Sequence, residues 1–123
     1  KQKRGSLLWV LDKTKTAMGA RTLRGYIEQP LIDKEEIERR QQAIEELNMN
    51  YISREEIREY LNSVYDLERL MGRISYKTAN PRDLLSFKNS LEMLPYIKDI
   101  LGEFSCELLK KMNEDLDPLR ALY

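Results

Sequence analysis

The sequence contains no histidine, one cysteine, five glycines, four prolines and no long apolar run. Lacking histidine, it lacks the usual general base, the Ser-His and Cys-His nucleophile pairs, and imidazole metal ligation. Zinc needs several Cys or His ligands and a di-iron bundle needs Glu-x-x-His pairs, so both are excluded. Cys106 is alone and cannot form an intrachain disulfide, which fits a reducing compartment. As a free thiol it reads as a small core hydrophobe. No apolar stretch approaches the roughly 20 residues that cross a bilayer, and Lys1-Gln2-Lys3-Arg4 is not followed by a signal-peptide pattern. No membrane partner and a cytoplasmic location are the expectation.

What is present is charge, in balance, and helical periodicity. The 21 basic and 21 acidic residues cancel, so no overall field draws the chain toward nucleic acid or an anionic surface. At 123 residues with 41% hydrophobic content, the chain can build one domain around a core. Three pairs have the spacing of an N-cap and an acidic third helical residue: Asp33 with Glu36, Ser53 with Glu56, and Asn80 with Asp83, the last with Pro81 at the first helical position. Ile37, Ile44 and Leu47 share one helix face. Ile57, Leu61, Val64, Leu67, Met71 and Ile74 make a longer stripe, with Leu67 and Met71 as candidate core residues.

Leu84, Phe87, Leu91 and Leu94 repeat the pattern until Pro95, which is expected to break it and open a short turn carrying Ile97, Ile100 and Leu101, with Gly102 as the stop. A last amphipathic stretch runs through Leu108, Leu109, Met112, Leu116 and Leu119, interrupted by Pro118 and ending at Tyr123 without a cap. Leu7 to Leu11 is too short for periodicity to decide, but Ser6 before it and the lack of neighbouring strands favour a short helix. The fold class is all-α, a single-domain helical bundle.

Residues 13–26, around Lys-Thr-Lys-Thr-Ala-Met-Gly, superficially resemble a phosphate loop. Gly-x-x-x-x-Gly-Lys-Ser/Thr is needed for backbone N–H groups to curl around phosphates while the lysine adds charge. Here five residues separate Gly19 from Gly25, and Tyr26 follows where lysine is required. Thr16 reads instead as an N-cap, with Leu23 and Ile27 on one helix face and Gly19 allowing another backbone to approach closely. The acid pairs Glu35-Glu36, Glu45-Glu46 and Glu55-Glu56 point roughly 100° apart on a helix and cannot easily share a metal, so they read as solvated faces. Lys1, Lys3 and Arg4, with Lys13, Lys15, Arg21 and Arg24, could meet phosphates. With balanced charge and no interleaved aromatics, they read as ordinary surface. The tyrosines at 26, 51, 60, 65, 76, 96 and 123 read as core edges. No catalytic, cofactor-binding, metal or DNA-binding residue is assigned.

The order of the segments carries more. SLLWVLDKTKTAMGARTLRGYIEQPL, then IERRQQAIEEL, VYDLERLMGRI and ANPRDLLSFKNSLEMLP, resembles the core domain of the MutS family of DNA mismatch-repair ATPases, in the family's order and spacing from Ser6 to Leu101. Leu7, Leu8, Leu11, Thr16, Gly19, Arg21 and Leu23 match the opening of that domain; Asp66-Leu67-Glu68-Arg69 and Asn80-Pro81-Arg82-Asp83 match later landmarks. Gly25 stands where a basic residue is expected, and Tyr26 where tryptophan is common.

The resemblance implies a core-domain fragment with a basic leader at 1–5, a helical core at 6–101 and the start of a lever region at 102–123. It implies a parent, a homodimer, that clamps and recognises mismatched double-stranded DNA and uses ATP and Mg²⁺. Both functions would lie in other domains, through a Phe-x-Glu motif and a phosphate loop that this chain does not contain. The fragment itself would be no enzyme and would need no cofactor. Its role would be a structural and allosteric hub between ATPase domain and DNA clamp. The alternative is a free-standing, non-catalytic helical interaction module.

Overall fold

The computed structural model describes residues 4–117, and among them every regular element is helical. In chain order these are α1 Leu7–Leu11, α2 Ala17–Glu28, α3 Lys34–Met49, α4 Tyr51–Leu61, α5 Leu67–Ser75, α6 Pro81–Leu101 and α7 Glu107–Asp115. The all-α reading holds. Leu119, Pro118, Tyr123, Lys1 and Lys3 lie outside the described residues.

Most helix starts are written locally. Ser6 Oγ accepts from Trp9 N at 3.2 Å and opens α1; Thr16 Oγ1 accepts from Gly19 N at 2.9 Å and opens α2. Asn80 and Asp83 form a reciprocal capping box, each side chain accepting from the other's backbone N–H at 2.9 and 3.0 Å, with Pro81 as the first residue of α6. Asp33 caps α3 through Glu35 N at 2.9 Å, so Glu36 takes no part. Ser53 is not a cap. Asn50 closes α3 and opens α4, its side chain donating to Glu46 O at 2.7 Å. That leaves Ser53 inside α4, where its hydroxyl donates to Glu103 Oε2 at 2.9 Å.

The long stripe from Ile57 to Ile74 is divided between two helices. At the break, Ser63 N and Val64 N bond back to Tyr60 O and Leu61 O. Tyr65 N donates 2.8 Å to the hydroxyl of Ser90, which is fully buried in α6. With those N–H groups satisfied, the chain can stop and restart at Asp66 with little cost. The division turns Leu70 inward, 7% exposed, and leaves Met71 49% exposed. The α3 face is likewise turned by one residue: Ala43 is buried while Ile44 is 60% exposed.

Pro95 does not break its helix; α6 runs through it to Leu101. An interior proline costs roughly 3 kcal/mol. A continuous helix keeps Leu91, Leu94, Ile97 and Ile100 all buried, in a stripe that winds about half-way round the axis from one cluster to the other, and each such side chain contributes about 1.5–3 kcal/mol, so burial wins. Helix α6 is therefore the spine. Its C-terminal half packs with Ala43, Phe104 and Leu109, its middle with Val64, and Ile57, Tyr60 and Leu101 border both clusters. Tyr60 also stacks on Tyr96, centroids 5.2 Å apart. Gly102 ends α6 as expected, in right-handed backbone.

The turn after α5 is closed by Lys77 N to Ile74 O and Thr78 N to Arg73 O, at 3.1 and 2.8 Å, with Lys77 at φ +58°. This is the left-handed helix stop that glycine normally supplies. A left-handed residue with a side chain is strained by about 1–2 kcal/mol. After subtracting glycine's larger entropy loss, Lys77→Gly should gain up to about 1 kcal/mol in urea unfolding. In the same assay Leu91→Ala should lose about 2–5 kcal/mol and the exposed Met71→Ala well under about 1 kcal/mol.

Candidate functional site: charged junctions between helices

The chemistry-bearing side chains fasten helices together. Arg21, on α2, reaches Asp66 and Glu68 at the start of α5. Its two terminal nitrogens donate to the two Asp66 oxygens at 2.7 and 2.8 Å and to Glu68 Oε2 at 2.8 Å. The planar guanidinium suits this paired geometry, which lysine could not reproduce. Asp66 is used twice, because Oδ1 also accepts from Arg69 N at 3.2 Å and caps α5. Arg21, through its hydrogen bonds, and the cap together hold the Asp66 carboxyl at about 2, below its ordinary 3.8. The same bonds raise the Arg21 guanidinium further above its usual value.

The junction extends along α5. Arg73 Nε lies 3.0 Å from Asp83 Oδ2, the atom that also accepts from Asn80 N. Arg21 thus joins α2 to the Asp66–Glu68 start of α5, and Arg73, further along α5, joins it to the Asn80–Asp83 box, a ladder from α2 through α5 to the start of α6. Tyr65, Asp66, Arg69, Arg73 and Asp83 line a shallow depression along it.

A second junction joins α3 to α7. Both oxygens of Glu46 cap the start of α7: Oε1 accepts from Ser105 N at 2.6 Å and from its hydroxyl at 3.2 Å, and Oε2 accepts from Cys106 N at 2.8 Å. Two backbone N–H groups and the helix dipole favour the ionised form. Ser105 N above all, with the other donors here, lowers the Glu46 carboxyl from its ordinary 4.5 to about 2. Burial and the neighbouring carboxylate raise the Cys106 thiol, which disfavours the thiolate. At the other end of α7, Lys98 donates to Asn113 O. The 102–123 stretch, as far as Asp117, is a turn and a short helix packed on α3 and α6.

Of the surface cations, Arg21 is held by Asp66 and Glu68, and Arg24 by Glu28 at 2.9 Å. Arg4, Lys13 and Lys15 are exposed. Among the acid pairs, Glu35 and Glu36 are exposed in the first turn of α3, and Glu55 lies 3.7 and 3.8 Å from Arg54 and Arg58. Glu46 departs from the solvated-face reading because its partners lie 59 and 60 residues away, a distance no local pattern reports. The groups nearest Gly19 are side chains of its own cap, not a foreign backbone. A Cβ there would meet Thr16 Oγ1 at 3.1 Å and Thr14 Cβ at 3.5 Å, the residues around its own cap. Tyr26, Tyr51, Tyr65, Tyr76 and Tyr96 are more exposed than core edges would be; Tyr26 lies under the Arg40 guanidinium at 3.7 Å. Among the described residues no group of three His, Cys, Asp or Glu could hold a metal ion, and no helix is long and apolar enough to cross a membrane.

Residues 1–122 match the family model for MutS domain III. The chain belongs to the MutS family. It is 67% identical over 122 residues to the DNA mismatch repair protein MutS of Lachnoclostridium phytofermentans, a match covering 99% of this chain and 13% of that protein. It is 54% identical to the MutS of Caldanaerobacter subterraneus and 51% identical to that of Clostridium tetani, each match covering 100% of this chain and 14% of the relative. This MutS domain III chain therefore spans about 13–14% of the length of these curated relatives. The three stretches that meet in the ladder are among those that carry the family likeness.

Both depressed carboxyls stabilise the fold above their ordinary values, and that contribution is lost as pH falls toward their folded values. Stability of this MutS domain III chain should therefore decline between pH about 4.5 and about 2. Glu46→Gln should lower stability at neutral pH and flatten that decline in urea titrations at stepped pH. A Gln variant with the parental slope would remove Glu46 from the account.

Proposed function

We propose that this chain is a structural and allosteric hub of a DNA mismatch-repair ATPase, set between the ATPase domain and the DNA clamp of a longer parent. The observation that supports this is the cross-fixing of distant segments by charged caps, Glu46 onto α7 and Asp66 onto both α5 and Arg21, within a MutS domain III sequence. A cap transmits displacement well, since moving the carboxylate by an ångström breaks charge-assisted bonds made over 2.6–2.8 Å. The parent, in this reading, is a cytoplasmic homodimer that recognises mismatched double-stranded DNA and binds ATP and Mg²⁺ through domains other than this one. Residues 102–123 lead toward the lever, with α7 as the fastening.

A hub of this kind passes information only if nucleotide and DNA favour different arrangements of it, so the measurable quantity is a coupling. In the full-length parent, mismatch affinity would be measured with and without ATP for the native protein and for Glu46→Gln. The ratio of the two affinities should shrink several-fold in the variant while affinity without nucleotide changes less; couplings are typically 1–3 kcal/mol, about 5–150-fold. An unchanged ratio across variants of both junctions would defeat the hub reading. For the chain alone, DNA binding should be weak and salt-sensitive and ATP hydrolysis negligible, and nanomolar mismatch-selective binding would reassign the roles.

A further inference from the structure

The packing divides the chain unevenly. Close backbone packing joins α3 to α4, α3 to α7, α4 to α6, α5 to α6 and α6 to α7, and neither α1 nor α2 has comparable packing on that body. No residue of α1 or α2 is buried. From residues 4–32 only Met18 packs against the buried clusters. Arginines also attach this segment to the body: Arg21 to Asp66 and Glu68, Arg40 over the Tyr26 ring at 3.7 Å, and Arg58 Nη1 donating to Lys13 O at 3.4 Å. Between α2 and α3 the chain runs through Pro30, which has no N–H to give, and through Ile32, 97% exposed.

We propose that residues 4–32 form a limb latched to the α3–α7 body by these arginines, chiefly Arg21, and that it swings away about residues 29–33 when the latch opens. The latch is accessible to salt, because the Arg21 side chain is 50% exposed and that of Glu68 73%, and exposed pairs are screened within a Debye length. A released α2 has 12 residues, too few to stay helical alone in water, so opening exposes its amides. The same step exposes the interior side of the limb, where Met18 and Leu23 lie half-buried. This inference concerns the chain's own mechanics and does not rest on the hub reading.

Amide hydrogen exchange by mass spectrometry on the 123-residue chain tests it. Peptides from α2 should exchange at least about ten-fold faster than those from α6, and faster again between about 0.05 and 0.5 M NaCl, while α6 stays unchanged. Asp66→Asn keeps a good cap for α5 but removes the less exposed of the two carboxylates facing Arg21; Arg21→Gln leaves the α5 cap untouched. Both should speed α2 exchange by about ten-fold without moving α6, and Glu45→Gln, which removes a charge elsewhere, should move neither. If α2 and α6 exchange together in every variant and at both salt levels, there is no separate limb. If α2 opens separately but ignores salt and both latch variants, the arginine latch is wrong.

Discussion

The bundle turns on one buried hydroxyl. Ser90 is fully buried in α6 and accepts the Tyr65 N–H, the donor left over where α4 ends and α5 has not begun. A buried N–H without a partner costs about 1–3 kcal/mol, enough to decide whether a chain of this size breaks its helix at that point. Because the partner exists, the chain turns within 62–66, and Asp66 arrives where its carboxylate can both cap α5 and meet Arg21. A single helix running through Leu61 and Leu67 would have needed neither the cap nor the ion pair. The order of dependence therefore runs from a polar group in the core to the charged surface, and the surface junction inherits its geometry from the spine.

The same division separates what is legible in the sequence from what is not. Caps are short-range chemistry, so Ser6, Thr16, Asp33 and the Asn80–Asp83 box can be found by spacing, and the structure has all of them. Apolar periodicity finds the helical class and, in α6, the buried Leu91 and Leu94, but it also names Leu84, which is 51% exposed, and Phe87, which is half-buried. It cannot find the end of α4. The stripe from Ile57 to Ile74 keeps helical spacing across the break, and the reason for stopping, Ser90, lies 25 residues on from Tyr65. Pro95 shows the converse: a strong local stop signal is overruled by four buried side chains on one axis. Ser53 fails as a cap because Asn50, three residues earlier, has already closed one helix and opened the next.

The junctions illustrate a sharper limit. Glu45 and Glu46 are indistinguishable as letters, two acids on a polar helix. One is exposed, and the other holds the start of α7 with both oxygens. Its signal is tertiary, since it depends on which of two neighbours, 100° apart on α3, faces the Ser105–Cys106 backbone. Arg21 is similar. Read along the chain it is one of several scattered cations that could meet a phosphate; in space its guanidinium is already committed to two carboxylates. Family likeness marks the Arg21, Asp66 and Asn80 stretches as landmarks without saying that they touch, and the contact among them supplies a physical reason for their keeping company.

That contact bears on how a body of this kind could respond to its surroundings. Apolar packing around α6 is insensitive to small displacements in sign and direction, because dispersion and burial change gradually. A carboxylate that caps a helix is different, since its bonds require a narrow range of distance and angle and vanish beyond it. Glu46 and Asp66 each join a helix start to a segment far away in sequence, α3 to the start of α7 and α2 to the start of α5. The rigid element and the switchable element are thus made of different interactions. The spine packs against α4, α5 and α7 through apolar burial, while the two carboxylates tie the starts of α5 and α7 to segments distant in sequence.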